Sequence, residues 1–431
     1  MSDGYANQRG WYRFLNNTKT KEEELIEQIT KQCGIAAKGK VVLSIQDTSD
    51  ISLYNHKNRI NLEDSIGRTN AANYDLGFLI HPSFVVDATS GFPLGYSAIK
   101  VWHRFKEKTS KREREQECRN LPIEEKESYK WIESSIKTKE ALSKADTVII
   151  VQDREGDIYE QFTRIPDEKT HLLIRSRMNR RLEEGIKLHD KLAKCDVAGS
   201  YRIDIPAERR RKRSKRTAQL EIRYCPITIK RPYSAFKSLQ ESVDLYVVEA
   251  KEVNSKSKQP VTWRILTTLP VNSLKEALNI IEWYSWRWMV EEVFRVLKKE
   301  GYNIEASELE SAKAIRKLCV LMLTTITRLF QMRFSYSIPE GETLESLMCF
   351  NEKEQECLDQ QYIILEGKTE KLKNPFPKKS LRWATWIIAR LGGWKGYSSQ
   401  RSIGITTLLI GLRRFYDIYQ GWILYQDVYT R

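Results

Sequence analysis

Residues 282–303 read EWYSWRWMVEEVFRVLKKEGYN, and the understanding of the whole chain turns on this stretch. At about 100° per residue, with Tyr284 at zero, Arg287 falls near −60°, Glu291 near −20°, Arg295 near +20° and Lys298 near −40°. These five share one stripe about 80° wide. Trp283, Trp286, Val290, Val293, Phe294 and Leu297 lie on the opposite side. The spacing predicts a helix with one apolar face packed into a core. The other face offers one carboxylate among three cations and a phenol. A solvated face usually mixes both signs in i,i+4 pairs. Here Glu291 is ringed by positive groups, as a metal-ligating carboxylate beside a phosphate backbone would be. A solvated basic face with an incidental Glu is the plainer alternative. Glu292 falls off the stripe, so Glu291 is the candidate.

Two apolar runs lie upstream. Lys40–Gln46 (KVVLSIQ) and Thr147–Gln152 (TVIIVQ) read as short buried strands. The first ends at Asp47 and the second at Asp153. In open α/β sheets the carboxyl edge of the strands is where ligands bind. Two carboxylates there resist ionising together unless positive charge lies between them. A divalent cation such as magnesium or manganese, which takes few carboxylates plus waters and phosphate oxygens, meets that need. An Asp that closes a strand also serves as a turn or N-cap residue, so these two alone leave both readings open.

Composition narrows the class. The chain has 431 residues, 41% hydrophobic and 30% charged, which excludes a disordered chain. The apolar stretches Leu318–Ile326 and Ile403–Leu412 are too short or interrupted to span a bilayer. Lys and Arg number 72 against 57 Asp and Glu, a net +15 that suits a polyanionic partner. The excess peaks at Arg209–Arg216 (RRRKRSKR), where Arg210, Arg211, Lys212 and Arg213 are either phosphate contacts or a solvated hairpin tip. The seven cysteines show no zinc spacing and read as thiols of a reducing cytosol. The opening MSDGYANQRGWYRF has no apolar signal core, so a cytoplasmic location is expected. His56, His81 and His103 read as structural or as lying beside the polyanionic partner, not as metal ligands.

Along the chain, residues 1–20 read as loosely ordered and Thr20–Cys33 as a helix. Leu76–Val86 and Tyr96–Trp102 read as strands around the turn at Gly91–Gly95. Lys106–Ala141 is a charged helical stretch with Trp131 turned inward, and Asp157–Ile165 a further helix. His171–Thr268 alternates in short stretches, the pattern of an antiparallel β region. Leu274–Phe330 is helical, 335–380 polar and turn-rich, and Leu381–Val428 two or three helices broken at Gly392-Gly393.

Tyr284, Arg287, Glu291 and Lys298 form the signature Tyr-x2-Arg-x3-Glu-x6-Lys. With it run, in order, QDTSDIS (46–52), QDREGDIY (152–159), LLIRSR (172–177), WRILTTLPV (263–271) and RWATWIIARLGG (382–393). From Gly10 to Val428 the chain resembles bacterial DDE transposases of the insertion-sequence-four family, in the branch of the transposon-five cut-and-paste enzyme. The resemblance implies an α/β fold: a ribonuclease-H-like catalytic core with a β-strand insertion and a C-terminal α-helical domain. The implied boundaries are 1–35 (lead-in), 36–170 (first core segment), 171–270 (insertion), 271–335 (core helix with the third acid) and 336–431 (dimerisation domain).

It implies further that Asp47, Asp153 and Glu291 are the catalytic residues and hold two Mg2+ or Mn2+ ions. The work implied is hydrolysis, hairpin formation and strand transfer on double-stranded DNA, at transposon ends and target. Trp263 would stack on a flipped base. Arg175 would hold the backbone at the hairpin, and Tyr284, Arg287, Arg295 and Lys298 would grip phosphates. A homodimer on DNA and no membrane partner complete the expectation. About 40 residues precede the first strand, too few for the family's N-terminal end-recognition domain. A shortened transposase acting as an inhibitor through mixed dimers is therefore the alternative expectation.

Overall fold

The computed structural model describes residues 5–56, 58–60, 65–69, 76–104, 121–205, 215–255, 260–338, 344–396 and 403–429. In chain order the helices are α1 (Tyr5–Asn16), α2 (Glu22–Ala36), α3 (Tyr129–Ala141), α4 (Tyr159–Arg164), α5 (Leu188–Lys194), α6 (Leu274–Ser285), α7 (Trp288–Arg295), α8 (Ala312–Ser335), α9 (Glu352–Leu365), α10 (Leu381–Leu391) and α11 (Ile405–Tyr429). The strands are β1 (Val41–Gln46), β2 (Ser49–Ser52), β3 (Gly67–Arg68), β4 (Leu76–Asp87), β5 (Pro93–Trp102), β6 (Thr147–Gln152), β7 (Thr170–Arg175), β8 (Gly199–Ile205), β9 (Arg216–Lys230), β10 (Ser242–Glu252) and β11 (Thr262–Thr267). Two compact units result. One comprises Gln28–Ser49 and Leu79–Glu291, the other Met1–Glu27, Asp50–Phe78 and Glu292–Arg431.

The first unit is built on a sheet. β4 pairs antiparallel with β5 and with β1. β1 then pairs parallel with β6, and β6 parallel with β7. Three antiparallel strands followed by two parallel ones, in the order β5-β4-β1-β6-β7, make a ribonuclease-H-like core. Val42, Leu43, Ile45, Ile150 and Val151 are fully buried, as expected of strands covered on both faces. Trp131 on α3 packs inward as its sequence position suggested, with His81 edge-on to its ring at 4.7 Å. Gly34 on α2 permits the close approach of α3, since a Cβ there would stand 2.3 Å from the Ala141 carbonyl oxygen.

The alternating region departs from the sequence expectation in one respect. β7 is no member of an antiparallel insertion. Leu172, Leu173 and Ile174 are all buried, and the strand is the parallel edge of the core. The antiparallel strands continue the same sheet, β7-β11-β10-β9-β8. β11 joins β7 through only three residue pairs, Ile265↔Arg175, Leu266↔Ile174 and Thr267↔Leu173.

The second unit is mainly helical. α8 begins at Ser311, whose side chain accepts from Ala314 N, and Lys317 binds the carbonyls of Leu15 and Asn17 at 3.1 and 2.8 Å. Residues 5–16, expected to be loose, are thus a helix tied down at its end. α9 was also not foreseen. It opens with a reciprocal cap in which Asn351 and Glu354 each satisfy the other's backbone N–H. α10 ends at Gly392, as the Gly392-Gly393 break indicated. A Cβ at Gly411 would lie 1.8 Å from the Ile388 carbonyl oxygen, so α10 and α11 cross backbone to backbone.

Gly411→Val should therefore force these helices apart and cost about 3 kcal/mol. Thermal unfolding measures it; an unchanged midpoint would mean the crossing is not tight.

Candidate functional site

α6 starts from a reciprocal cap between Ser273 and Glu276. Trp283 Nε1 donates to the Ala88 carbonyl at 3.0 Å, fixing the helix to the end of β4. The single helix expected across 282–300 is interrupted at Trp286-Arg287. There the backbone tightens, with Arg287 N bonding Tyr284 O and Val290 N bonding Arg287 O, each a three-residue step. The two side chains that the wheel placed on the open face are instead buried. Tyr284 is only 3% exposed and Arg287 7%, whereas Trp283 and Trp286 are half-buried.

Arg287 reaches toward the strand edge. Its Nη1 donates to Asp47 Oδ2 at 3.0 Å and its Nη2 to Glu291 Oε1 at 2.7 Å. Its buried Nε has no partner among the described residues. Tyr284 Oη donates to Asp153 Oδ1 at 3.5 Å. Asp47 and Asp153 stand side by side because β1 and β6 are parallel and in register, with Ile45 opposite Val151. The structure thus gathers Asp47, Asp153 and Glu291 around two side chains of the same helical segment.

The electrostatics reflect the crowding. The Asp47 carboxyl is raised to about 6. Burial is the main cause, and the charges of Asp153 and Glu291 add to it. Arg287 and the Thr48 N–H oppose the shift without cancelling it. Burial would lower the Arg287 guanidinium, but Tyr284, Asp47 and Glu291 hold it above its ordinary value. Burial and Asp153 raise the Tyr284 phenol, against Arg287 and Arg175.

Among the described residues, no three His, Cys, Asp or Glu side chains stand close enough to hold one ion. The cation bridging Asp47 and Glu291 is the guanidinium. The fit to a divalent metal is one of donor chemistry: carboxylate oxygens only, with an Asp47 carboxyl raised by burial and by its acidic neighbours, which a hard cation would lower again.

Trp263 on β11 stands edge-on to Tyr284, ring centroids 5.7 Å apart. Arg175 at the end of β7 donates to the Thr262 carbonyl at 3.1 Å and also reaches the Tyr284 phenol. Arg295 and Lys298 belong to the other unit. There Lys298 pairs with Asp50 at 3.2 Å and Glu305 at 3.7 Å, and Arg295 with Glu292 at 3.5 Å. Arg210, Arg211, Lys212 and Arg213 lie outside the described residues. His81 Nδ1 bonds Thr48 Oγ1 at 2.8 Å, and His56 Nε2 bonds the Glu305 carbonyl at 2.7 Å.

Asp157, expected from the sequence only as the start of a helix, has a larger part, and the helix itself begins at Tyr159. Buried with Arg180, Asp157 accepts from Arg180 Nε at 2.9 Å and from the backbone of Arg177 and Met178. It thereby shapes the turn that follows Arg175.

The Asp47 shift has a signed consequence. Its folded value lies above the unfolded one, so its contribution to stability is full below about pH 4 and is lost as pH rises through about 6. Without divalent ions at pH 8, Asp47→Asn should stabilise the protein by roughly 1–3 kcal/mol. Unfolding midpoints at pH 4 and pH 8 check this. A variant less stable than the parent at pH 8 would show that the Arg287 attraction outweighs burial and repulsion.

Residues 135–328, which include Asp153 and Glu291, match the family model described as "Transposase DDE domain". Among solved structures the chain is similar to the piggyBac transposase in a synaptic complex with hairpin DNA, determined by cryo-electron microscopy. Identity is 10% and the TM-score 0.33, over 81% of this chain and 69% of that one. No helix among the described residues is long and apolar enough to cross a membrane. The chain carries a transposase DDE domain, the catalytic domain of enzymes that cut DNA and join its strands.

Proposed function

We propose that this protein is a cut-and-paste transposase of the insertion-sequence-four kind, similar to the transposon-five enzyme, with Asp47, Asp153 and Glu291 as its catalytic acids. One observation supports the reading above the rest. Three carboxylates far apart in the chain influence one another, two through a shared guanidinium and one through a phenol of the same helical segment.

Asp47, Asp153 and Glu291 would hold two magnesium or manganese ions. When bound, these supply charge for activating an attacking oxygen and for stabilising a leaving 3′ oxygen. The protein's own groups do the rest. Arg287 keeps Asp47 and Glu291 from repelling each other and offers the site's fixed positive charge to a phosphodiester. Tyr284 orients Asp153. Trp263 presents an aromatic face for an unstacked base, and Arg175 anchors the backbone beside it. That pairing suits a hairpin step, in which a base must leave the stack. Lys298 and Arg295 of the second unit, and the basic run 209–216, are each further candidates for phosphate contact. Two copies on paired ends form the working complex, with the half-buried Tyr416, Tyr419 and Trp422 of α11 as a candidate contact.

Asp153→Asn and Glu291→Gln should each abolish magnesium-dependent cleavage of a labelled fragment carrying the element's own ends, at least about 10³-fold. DNA binding should be retained or tightened, since a carboxylate near phosphate is repulsive. Cleavage surviving in Glu291→Gln would remove it from the catalytic set.

Trp263→Ala should slow hairpin closure more than first-strand nicking, by about tenfold or more from a lost base stack of 1–3 kcal/mol. Resolving nicked and hairpin products on a denaturing gel separates the two steps. Equal slowing would deny Trp263 the stacking role.

A further inference from the structure

Both aspartates that close a core strand are preceded by glutamine: Gln46-Asp47 and Gln152-Asp153. The parallel register that puts Ile45 opposite Val151 sets the glutamines level with each other, and the aspartates likewise. Gln46 and Gln152 are fully buried. Gln152 Nε2 donates to Gln46 Oε1 at 2.8 Å, straight across the two strands. Both amides also reach Ser135 Oγ on α3, each at 3.3 Å, and Gln161 Nε2 reaches the same oxygen at 2.9 Å. Ser135 donates in turn to the Trp131 carbonyl at 2.7 Å.

This network is costly for a core. Three amides converge on one hydroxyl that has two lone pairs. The Oε1 atoms of Gln152 and Gln161 have no partner among the described residues, a burden of about 1–3 kcal/mol for each such group. Apolar side chains of similar volume would fill the space without it. The position of the network suggests what it gains. The register pairs of β1 and β6 end at Ile45 and Val151, so the amide–amide bond is the last tie between the strands before the acids. The turn beyond is fitted to it as well. A Cβ at Gly156 would lie 2.4 Å from Gln152 Oε1, so the Arg154–Gly156 turn rests directly on that amide. Asp153 caps this turn, accepting from Arg154 N at 2.6 Å.

We infer that Gln46 and Gln152 are positioning residues: a buried crossbar that fixes the spacing of Asp47 and Asp153 for a divalent cation. The inference rests on the reading of those two acids as metal ligands. The amides touch no substrate or metal, and they act by setting where two carboxylates leave their strands.

The test is Mn2+ binding to the full chain without DNA, followed by electron paramagnetic resonance, with thermal unfolding alongside. Gln46→Leu and Gln152→Leu should weaken Mn2+ binding by about tenfold or more, the scale seen when groups behind metal ligands are lost. Gln161→Leu removes an amide from the same hydroxyl but adjoins neither Asp47 nor Asp153. It should lower the unfolding midpoint while leaving Mn2+ affinity within about twofold. Wild-type affinity in the Gln46 and Gln152 variants would overturn the inference. So would equal weakening in Gln161→Leu, which would mean general loosening. Should the leucine variants fail to fold, Gly156→Ala displaces the Gln152 amide from above, and unchanged Mn2+ affinity there is equally fatal. Wild-type protein that binds no Mn2+, or binds it as well after Asp47→Asn and Asp153→Asn, would sink the metal reading itself and this inference with it.

Discussion

Carboxylates that repel one another must be held together by something positive, and in this protein that is one guanidinium. Arg287 is buried and bonded to Asp47 and Glu291 at 3.0 and 2.7 Å. It reaches both because Glu291 stands one helical turn further on and Asp47 lies at the end of β1. Even so, burial, with the charges of Asp153 and Glu291 added, pushes the Asp47 carboxyl up to about 6 against the pull of Arg287. A buried acid raised beside two others marks a place that accepts further positive charge.

Much of this was legible in the sequence. KVVLSIQ and TVIIVQ announced two strands covered on both faces, and the acid after each told where the strands stop. Pattern alone did not fix their order in the sheet, because a buried apolar run looks the same in parallel and antiparallel settings. β7 shows the difficulty. HLLIRSR was grouped with the alternating strands after it, yet its unbroken Leu-Leu-Ile core was the sign of burial on both sides. The helical wheel of residues 282–298 grouped Tyr284, Arg287 and Glu291 as the structure does, but Tyr284 and Arg287 are buried against the acids where an open face was expected. A wheel ranks directions around one helix and does not say what packs on each. The cap at Asn351 and Glu354 was visible as a spacing and was passed over because the helix after it is polar on nearly all sides.

Close contact recurs as a building device. Gly34, Gly156 and Gly411 each stand where a single added carbon would strike a neighbouring backbone or amide. In each case a hydrogen atom in place of a side chain lets two elements approach closely. At Gly156 the device meets the site itself, since the turn it allows begins at Asp153.

The sheet has a mechanical consequence. β6, whose end carries Asp153, lies in the same hydrogen-bonded sheet as the outlying hairpins, joined to them through β7 and the short β7–β11 seam. A load applied to the outer strands is passed from strand to strand as in-plane shear, and the three residue pairs of the seam carry part of it into the core. That seam ends at Arg175, the side chain that meets Tyr284. Tension on the distal ribbon thus reaches the strand end whose Arg175 meets the phenol that steadies Asp153.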